Sequence, residues 1–194
     1  MVVDLCKNYK VILLGNSSVG KTSIMNNFSK KHQDVSPTIG AEFCLMKSSK
    51  YNHKLQIWDC AGQERYRAVT RIYYRNIQGC VLIFDLNNKK SLYDIRDYWV
   101  KEVENNNMIN PIFILVGNKS DLRINTDYDV IRSLVNTYSM KYIETSVIKN
   151  ENICEIFNFM SDYLSTDSLP EYEHNNILDT KKNTTYIDSI TAYC

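Results

Sequence analysis

The sequence predicts an α/β domain built on a six-stranded, mostly parallel sheet, with one antiparallel edge strand and five flanking helices. Two observations carry this. From Tyr9 to Phe157 short apolar runs alternate with longer amphipathic ones, the order expected of strand–helix–strand units. Three of those runs, Lys10–Leu14, Cys80–Phe84 and Pro111–Val116, are apolar almost throughout, as strands covered on both faces of a parallel sheet are.

Taken in order, Lys10–Leu14 is the first core strand, and a helix follows over about Lys21–Ser29. Glu42–Lys50 and His53–Asp59, joined through Lys50-Tyr-Asn-His53, form a hairpin at the sheet edge, which supplies the antiparallel strand. A helix lies within Ala68–Ile77, then come the core strand Cys80–Phe84, a helix over Ser91–Glu104 and the core strand Pro111–Val116. A helix over Thr126–Tyr138, a short strand at Met140–Ile143 and a helix over Asn152–Leu164 complete the domain. Ser91 and Thr126 carry the oxygen that an N-cap needs. Residues 1–8 are expected to be an N-terminal extension and 9–164 the domain. Residues 165–194 hold five acidic residues and two lysines, a net charge of −3, with no apolar periodicity, and are expected to be a flexible tail.

A length of 194 residues and a mass of 22.6 kDa suit one domain with a sizeable core. No apolar stretch approaches a membrane span. The start, Met-Val-Val-Asp-Leu-Cys-Lys-Asn, carries neither a secretory pattern nor the Gly that myristoylation needs, so a cytoplasmic protein is expected. A net charge of +1 supplies no field for nucleic acid. The six cysteines include no two-residue-spaced pair, so neither a zinc site nor a redox dithiol is suggested, and reduced, mostly buried thiols are expected. Glycine occurs only six times, at 15, 20, 40, 62, 79 and 117, which marks these as positions where backbone geometry demands it.

Two of these glycines frame Gly15-Asn16-Ser17-Ser18-Val19-Gly20-Lys21-Thr22, with Ser23 following, between the first strand and the first helix. The pattern G-x-x-x-x-G-K-[ST] in that place is a phosphate-binding loop. Its backbone amides wrap a phosphate at a helix N-terminus, Lys21 reaches the terminal phosphates, and the Thr22 hydroxyl binds Mg²⁺. Asp59 ends a strand beside that loop and can hold the Mg²⁺ shell. In Cys60-Ala-Gly62-Gln63-Glu64, Gly62 can offer its amide to a γ-phosphate and Gln63 can orient an attacking water. Thr38, in Pro37-Thr38-Ile-Gly40, can close over Mg²⁺ and the γ-phosphate, although Pro37 also suits an ordinary turn.

Asn118-Lys119-Ser120-Asp121 follows a core strand at Gly117, at the carboxyl end where open α/β sheets bind ligands. A carboxylate there accepts hydrogen bonds from N1 and N2 of guanine. Adenine lacks both donors and would leave it unpaired, a discrimination on the order of 10⁴. Glu144-Thr-Ser146-Val147 would bring backbone amides to the guanine oxygen. A phosphate-loop kinase or ATPase of another class leaves Asn118–Asp121 unexplained.

In this order the motifs resemble the Ras superfamily of small GTPases over about residues 9–164. Within it, Thr38-Ile-Gly-Ala-Glu-Phe43, Lys54-Leu-Gln-Ile-Trp-Asp-Cys-Ala-Gly-Gln-Glu-Arg-Tyr66 and Tyr73-Tyr-Arg-Asn76 resemble the Rab branch. The resemblance implies a P-loop GTPase domain that binds GTP or GDP with Mg²⁺ held at Thr22, Thr38 and Asp59. It implies slow hydrolysis through Gln63, acting as a switch in vesicle-mediated protein transport. Two switch segments, about Lys30–Phe43 and Asp59–Ile77, would present Ile39, Phe43, Trp58 and Tyr73 to effectors, although three aromatics beside a sheet equally suit core packing. The implied partners are an exchange factor, an activating protein, a GDP-dissociation inhibitor or escort and effectors. The implied place is the cytosolic face of an endomembrane, in exchange with cytosol. An alternative is a noncatalytic guanine-nucleotide scaffold.

The chain departs from the family pattern in several places. The stretch from Phe28 to Thr38 is shorter than usual and lacks the aromatic that covers the guanine, leaving His32 or Gln33 near it. Cys60 replaces a usual Thr, Ser18 a common Gly, and Ile148 the usual Lys of the base loop. The chain ends on one cysteine, Cys194, a lipidation candidate with only Lys181-Lys182 as a basic patch.

Overall fold

The computed structural model describes residues 6–29, 38, 40–63, 70–107, 109–122 and 124–165. One six-stranded sheet organises them. In chain order its strands are β1 (Lys7–Leu14), β2 (Ala41–Lys47), β3 (His53–Cys60), β4 (Gly79–Asp85), β5 (Ile112–Asn118) and β6 (Lys141–Thr145). Across the sheet they run β2-β3-β1-β4-β5-β6, and only the β2–β3 pair is antiparallel. The expected fold class therefore stands, with the hairpin at the edge where its sequence placed it. β1 begins at Lys7, inside the expected N-terminal extension, because Lys7 pairs with His53 and donates its N–H to Asn52 O at 3.2 Å.

The helices are α1 (Lys21–Phe28), α2 (Lys89–Asp94), α3 (Val100–Asn106), α4 (Tyr128–Tyr138) and α5 (Ile153–Ser165). A π-helical turn over Ile95–Trp99 joins α2 to α3 as one continuous helix. Of the helix expected within Ala68–Ile77, Thr70 is helical and Arg71–Tyr74 form a 3₁₀ turn, residues 64–69 lying outside the described residues. The buried Tyr74 ring anchors this turn, Arg75 is already extended, and Asn76 turns left-handed at φ +55° before β4.

Both expected N-caps are corrected. The helix begins at Lys89, after Asn88, and Ser91 sits inside it. There its hydroxyl accepts from Asp85 N–H at 3.0 Å and donates to Asn88 O at 2.6 Å, bracing the turn instead of capping it. Asp127, not Thr126, caps α4, accepting from the N–H groups of Asp129 and Val130. Those backbone donors hold its carboxyl below the usual range.

The core strands read as continuous apolar runs because each side of the sheet carries its own core. Ile12, Leu14, Cys80, Leu82, Phe84 and Leu115 pack toward Leu92, Trp99, Val103 and Leu134 on one side. Val11, Leu13, Val81, Ile83, Ile114 and Val116 pack toward Ile24, Ile156, Phe157 and Met160 on the other. Both sets are fully removed from water, the condition under which parallel sheets are stable. Cys60 and Cys80 are buried free thiols and Cys6 and Cys44 half-buried ones, whereas Cys154 is not a free thiol.

One polar cluster interrupts this core. The buried His53 at the start of β3 shares a 2.9 Å hydrogen bond between Nε2 and Ser161 Oγ of α5, and Ser161 donates to Ser48 Oγ at 3.1 Å. Ser48 N–H returns to His53 O at 3.0 Å, closing the hairpin base onto α5. Burial lowers the imidazole pKa, outweighing the Asp162 carboxylate, which favours the charged form, while Lys7 acts with burial. Below the ordinary histidine value of about 6.5 the unfolded chain therefore takes up a proton that the fold resists, and stability is lost as pH falls through that range. Melting temperature is expected to drop between pH 7 and 5 more steeply in the native chain than in His53→Leu. Parallel slopes would contradict this account.

Candidate nucleotide site

The carboxyl ends of β1, β3, β4, β5 and β6 meet at one edge, and β1, flanked by β3 and β4, is where the chain's crossovers diverge. The loop of residues 15–20 leaves β1 there. Gly15 has φ +145°, and a Cβ on it would lie 2.0 Å from Ile83 O. Gly20 has φ +103°, with a Cβ position 2.2 Å from Asn118 Nδ2. No side chain fits at either place. Ser18 between them adopts φ +65°. No side chain caps α1, so the N–H groups of its first turn are left for an anion.

Lys21, the first residue of α1, is 6% exposed. Its ammonium donates to Gly15 O at 3.0 Å and Asn16 O at 2.8 Å, curling the loop around itself. Burial lowers its pKa, opposed by the Asp59 carboxylate and Cys60. A cation so enclosed favours a polyanionic partner.

Asp59, near the end of β3, is fully buried. Its Oδ2 accepts from the Thr22 hydroxyl and, at 3.3 Å, from the Thr38 hydroxyl, and the two threonine oxygens are 2.9 Å apart. Its Oδ1 is buried with no hydrogen-bond partner among the described residues. Burial raises the carboxyl pKa, opposed by the Thr22 hydrogen bond and Lys21. Two hydroxyl oxygens converging on Asp59 Oδ2, with Oδ1 left unsatisfied beside them, make a set of hard oxygens suited to a small divalent cation. Among the described residues no three His, Cys, Asp or Glu side chains cluster as a self-contained metal cage. Gly62 follows, and a Cβ on it would lie 2.4 Å from Gly15 O and 2.5 Å from Lys21 Nζ, so its bare backbone rests on the phosphate loop. Beside Asp59, the buried Cys60 thiol is pushed up to about 12, by burial first, and stays protonated.

At the other end Asn118 acts as a strut, donating from Nδ2 to Val19 O at 2.8 Å and accepting from Thr145 Oγ1 at 3.1 Å. It ties the turn after β5 to the loop of residues 15–20. Lys119 turns left-handed at φ +67°, and its ammonium pairs with Asp85 at 2.7 Å. Ser146 Oγ donates to Asp121 Oδ1 at 2.5 Å and accepts from Lys149 N–H at 3.1 Å. The hydroxyl thus fixes one carboxylate oxygen of Asp121.

A cavity of about 430 Å³ connects the two ends, within the range of small-ligand sites. Of the residues singled out in sequence, Ser17, Ser18, Gly20, Lys21, Thr22, Ser23, Thr38, Gly62, Gln63, Asn118, Lys119, Asp121 and Val147 line it. Gly15, Asn16, Val19, Asp59 and Ser146 support that lining without joining it. The Asn16 side chain turns toward α2 and Trp99. Leu122, which sequence reasoning missed, lines the cavity with Ile148, and they are 52% and 84% exposed. No motif marks Leu122, and only its place next to Asp121 could have suggested it. The hydroxyl role of Ser146 was likewise missed.

Phe43, Trp58 and Tyr73 form a row across β2, β3 and the 3₁₀ turn, with ring centroids 5.0 and 5.3 Å apart. The row is part core and part surface: Tyr73 packs on the buried cluster, whereas Phe43 is 46% exposed. Ile39, His32, Gln33 and Cys194 lie outside the described residues.

Comparison with known proteins agrees with this geometry. Residues 10–165 match the Ras family. A probable Rab-related GTPase of Acanthamoeba polyphaga mimivirus is 33% identical over 200 residues, covering 96% of this chain and 92% of the viral protein. The Ras-related protein RABA1b of Arabidopsis thaliana is 37% identical over 155 residues, 77% of this chain and 71% of the plant protein. The Ras-related protein Rab-7B of Dictyostelium discoideum is 33% identical over 189 residues, 91% of this chain and 95% of that protein. With a match that reaches all six strands and relatives aligned along most of their length, this chain belongs to the Ras family, as a Rab-like small GTPase.

Proposed function

We propose that the chain is a Mg²⁺-dependent GTP switch that hydrolyses GTP slowly on its own. The single observation that carries this is the pairing, across one cavity, of an enclosed Lys21 and an unsatisfied Asp59 with an Asp121 carboxylate held by Ser146. Polyphosphate and guanine need those two ends. Thr22, Thr38 and Asp59 fit Mg²⁺, and the ion when bound offsets charge on the β- and γ-phosphates. Lys21 and the loop amides of residues 15–20 hold the phosphates, and the Gly62 amide faces the γ-phosphate.

In hydrolysis a water oxygen bonds to Pγ while the bond from Pγ to the β–γ bridging oxygen breaks. The products are GDP and inorganic phosphate, with the water's proton passing to phosphate oxygen. Gln63 accepts a hydrogen bond from that water and orients it. Without an added arginine the γ-phosphate charge is not fully offset, so intrinsic turnover is on the order of 10⁻⁴ to 10⁻² s⁻¹. An activating protein supplies the missing charge, an exchange factor replaces GDP, and a dissociation inhibitor or escort carries the inactive form.

The γ-phosphate is the differential ligand of the switch, since it favours the arrangement in which Thr38 meets Thr22 and Asp59. Effectors then meet Ile39, Phe43, Trp58 and Tyr73. Relatives named as Rab proteins support a role in vesicle-mediated protein transport at the cytosolic face of an endomembrane, and Cys194 is the candidate for lipid attachment. No described helix is long and apolar enough to cross a membrane. A noncatalytic scaffold is disfavoured by Gln63 on the cavity wall and by Thr38 in contact with Asp59.

Gln63→Leu is expected to keep GTP affinity while slowing single-turnover hydrolysis by about tenfold or more. An unchanged rate would remove Gln63 from the chemistry, and no hydrolysis by the native chain would favour the scaffold. Asp121→Asn replaces the acceptor of guanine's N1 and N2 hydrogens by an amide. It is expected to weaken GTP binding by about 10³-fold or more while improving binding of xanthosine triphosphate, whose C2 oxygen accepts the new N–H. Equal loss for both nucleotides would contradict the assigned base contact.

A further inference from the structure

Asn16 lies within the phosphate loop, yet its carboxamide is committed to the neighbouring helix. Its Oδ1 accepts from the Trp99 indole N–H at 2.8 Å, and its Nδ2 donates to Asp94 Oδ2 at 2.5 Å. Indole only donates and carboxylate only accepts, so the amide has a single satisfied orientation. The helix is π-wound over Ile95–Trp99, and this wider turn sets the fully buried Trp99 against the loop.

The backbone of the same residue bears on the site. Asn16 O accepts from Lys21 Nζ at 2.8 Å. Its carbonyl carbon lies 2.5 Å from where a Cβ of Gly62 would stand, so the Gly62 backbone packs directly on it. Asp94, the last residue of α2, is partly exposed, with Lys90 3.6 Å away. One residue therefore links the surface of α2 to the two groups that face the phosphates.

We propose that Asn16 is a positioning residue: Trp99 and Asp94 hold its side chain, and this sets the backbone on which Lys21 and Gly62 rest and governs how long nucleotide is retained. The inference rests on the guanine-nucleotide reading above. Asp94 and Trp99 do not line the cavity, and on this proposal they act on it through Asn16.

The test uses the full chain loaded with fluorescent N-methylanthraniloyl-GDP and follows its release into excess GDP. Asn16→Asp keeps the acceptor for Trp99 but sets a carboxylate against Asp94, and release is expected to quicken about tenfold. Adding Asp94→Asn reverses the donor and acceptor, and the double variant is expected to return to within about twofold of the native rate. A merely structural role would track melting temperature and show no such rescue of release. Should Asn16→Asp fail to fold, Trp99→Phe keeps the aromatic packing and removes the donor, with release expected about threefold faster. A native rate in Asn16→Asp, a double variant as fast as the single one, or a native rate in Trp99→Phe would overturn the proposal. Failure of the native chain to retain the analogue at all would instead overturn the guanine-nucleotide reading.

Discussion

The buried Lys21 ammonium is the constraint from which the site's architecture follows. A lysine this enclosed needs partners for its charge, and the chain supplies the carbonyls of Gly15 and Asn16 with the Asp59 carboxylate nearby. Meeting that demand requires a loop that doubles back around the side chain, hence the two glycines in conformations and clearances no other residue tolerates. It also draws Gly62 into contact with the loop. On the proposed reading the phosphates would be met by a preformed set of donors, which is how a site stabilises charge without reorganising at the moment of reaction.

The sheet is what makes that loop stand at a fixed distance from the base reader. β1 lies between β3 and β4, and β4 lies beside β5. The phosphate loop, Asp59 and the Asn118 turn are therefore carried by packed parallel strands whose side chains are buried on both faces. Asn118 then closes the gap directly, bonding Val19 O and Thr145 Oγ1 with the two ends of one amide. The geometry of the proposed nucleotide site thus depends on strand register as well as on the residues that line it, because a one-residue slip of β5 would turn Asn118 away from Val19.

Much of this was legible in sequence because the strongest signals are those where backbone geometry permits few residues. Gly15, Gly20 and Gly62 are scarce residues in a glycine-poor chain, and each stands where a Cβ would collide. The core strands were legible because burial on both faces leaves little room for polar residues in the run. The N-caps were not, since Ser91, Thr126 and Asp127 all carry a suitable oxygen and only the path of the incoming chain decides which one reaches the N–H groups. The 3₁₀ turn at Arg71–Tyr74 escaped for a related reason: four residues carry no helical period. The tertiary partners of Asn16 and Ser146 were equally hidden, since their contacts lie far away in sequence, at Trp99 and Asp121.

The most direct test of the account is the identity of the nucleotide that the native chain carries. The purified protein would be denatured and any released nucleotide separated by ion-exchange chromatography against guanine and adenine standards. An Asp121 carboxylate that reads guanine, together with slow hydrolysis and retention by the loop around Lys21, predicts GDP. An adenine nucleotide in its place would contradict the central claim that the two ends of this cavity are built for guanine and polyphosphate.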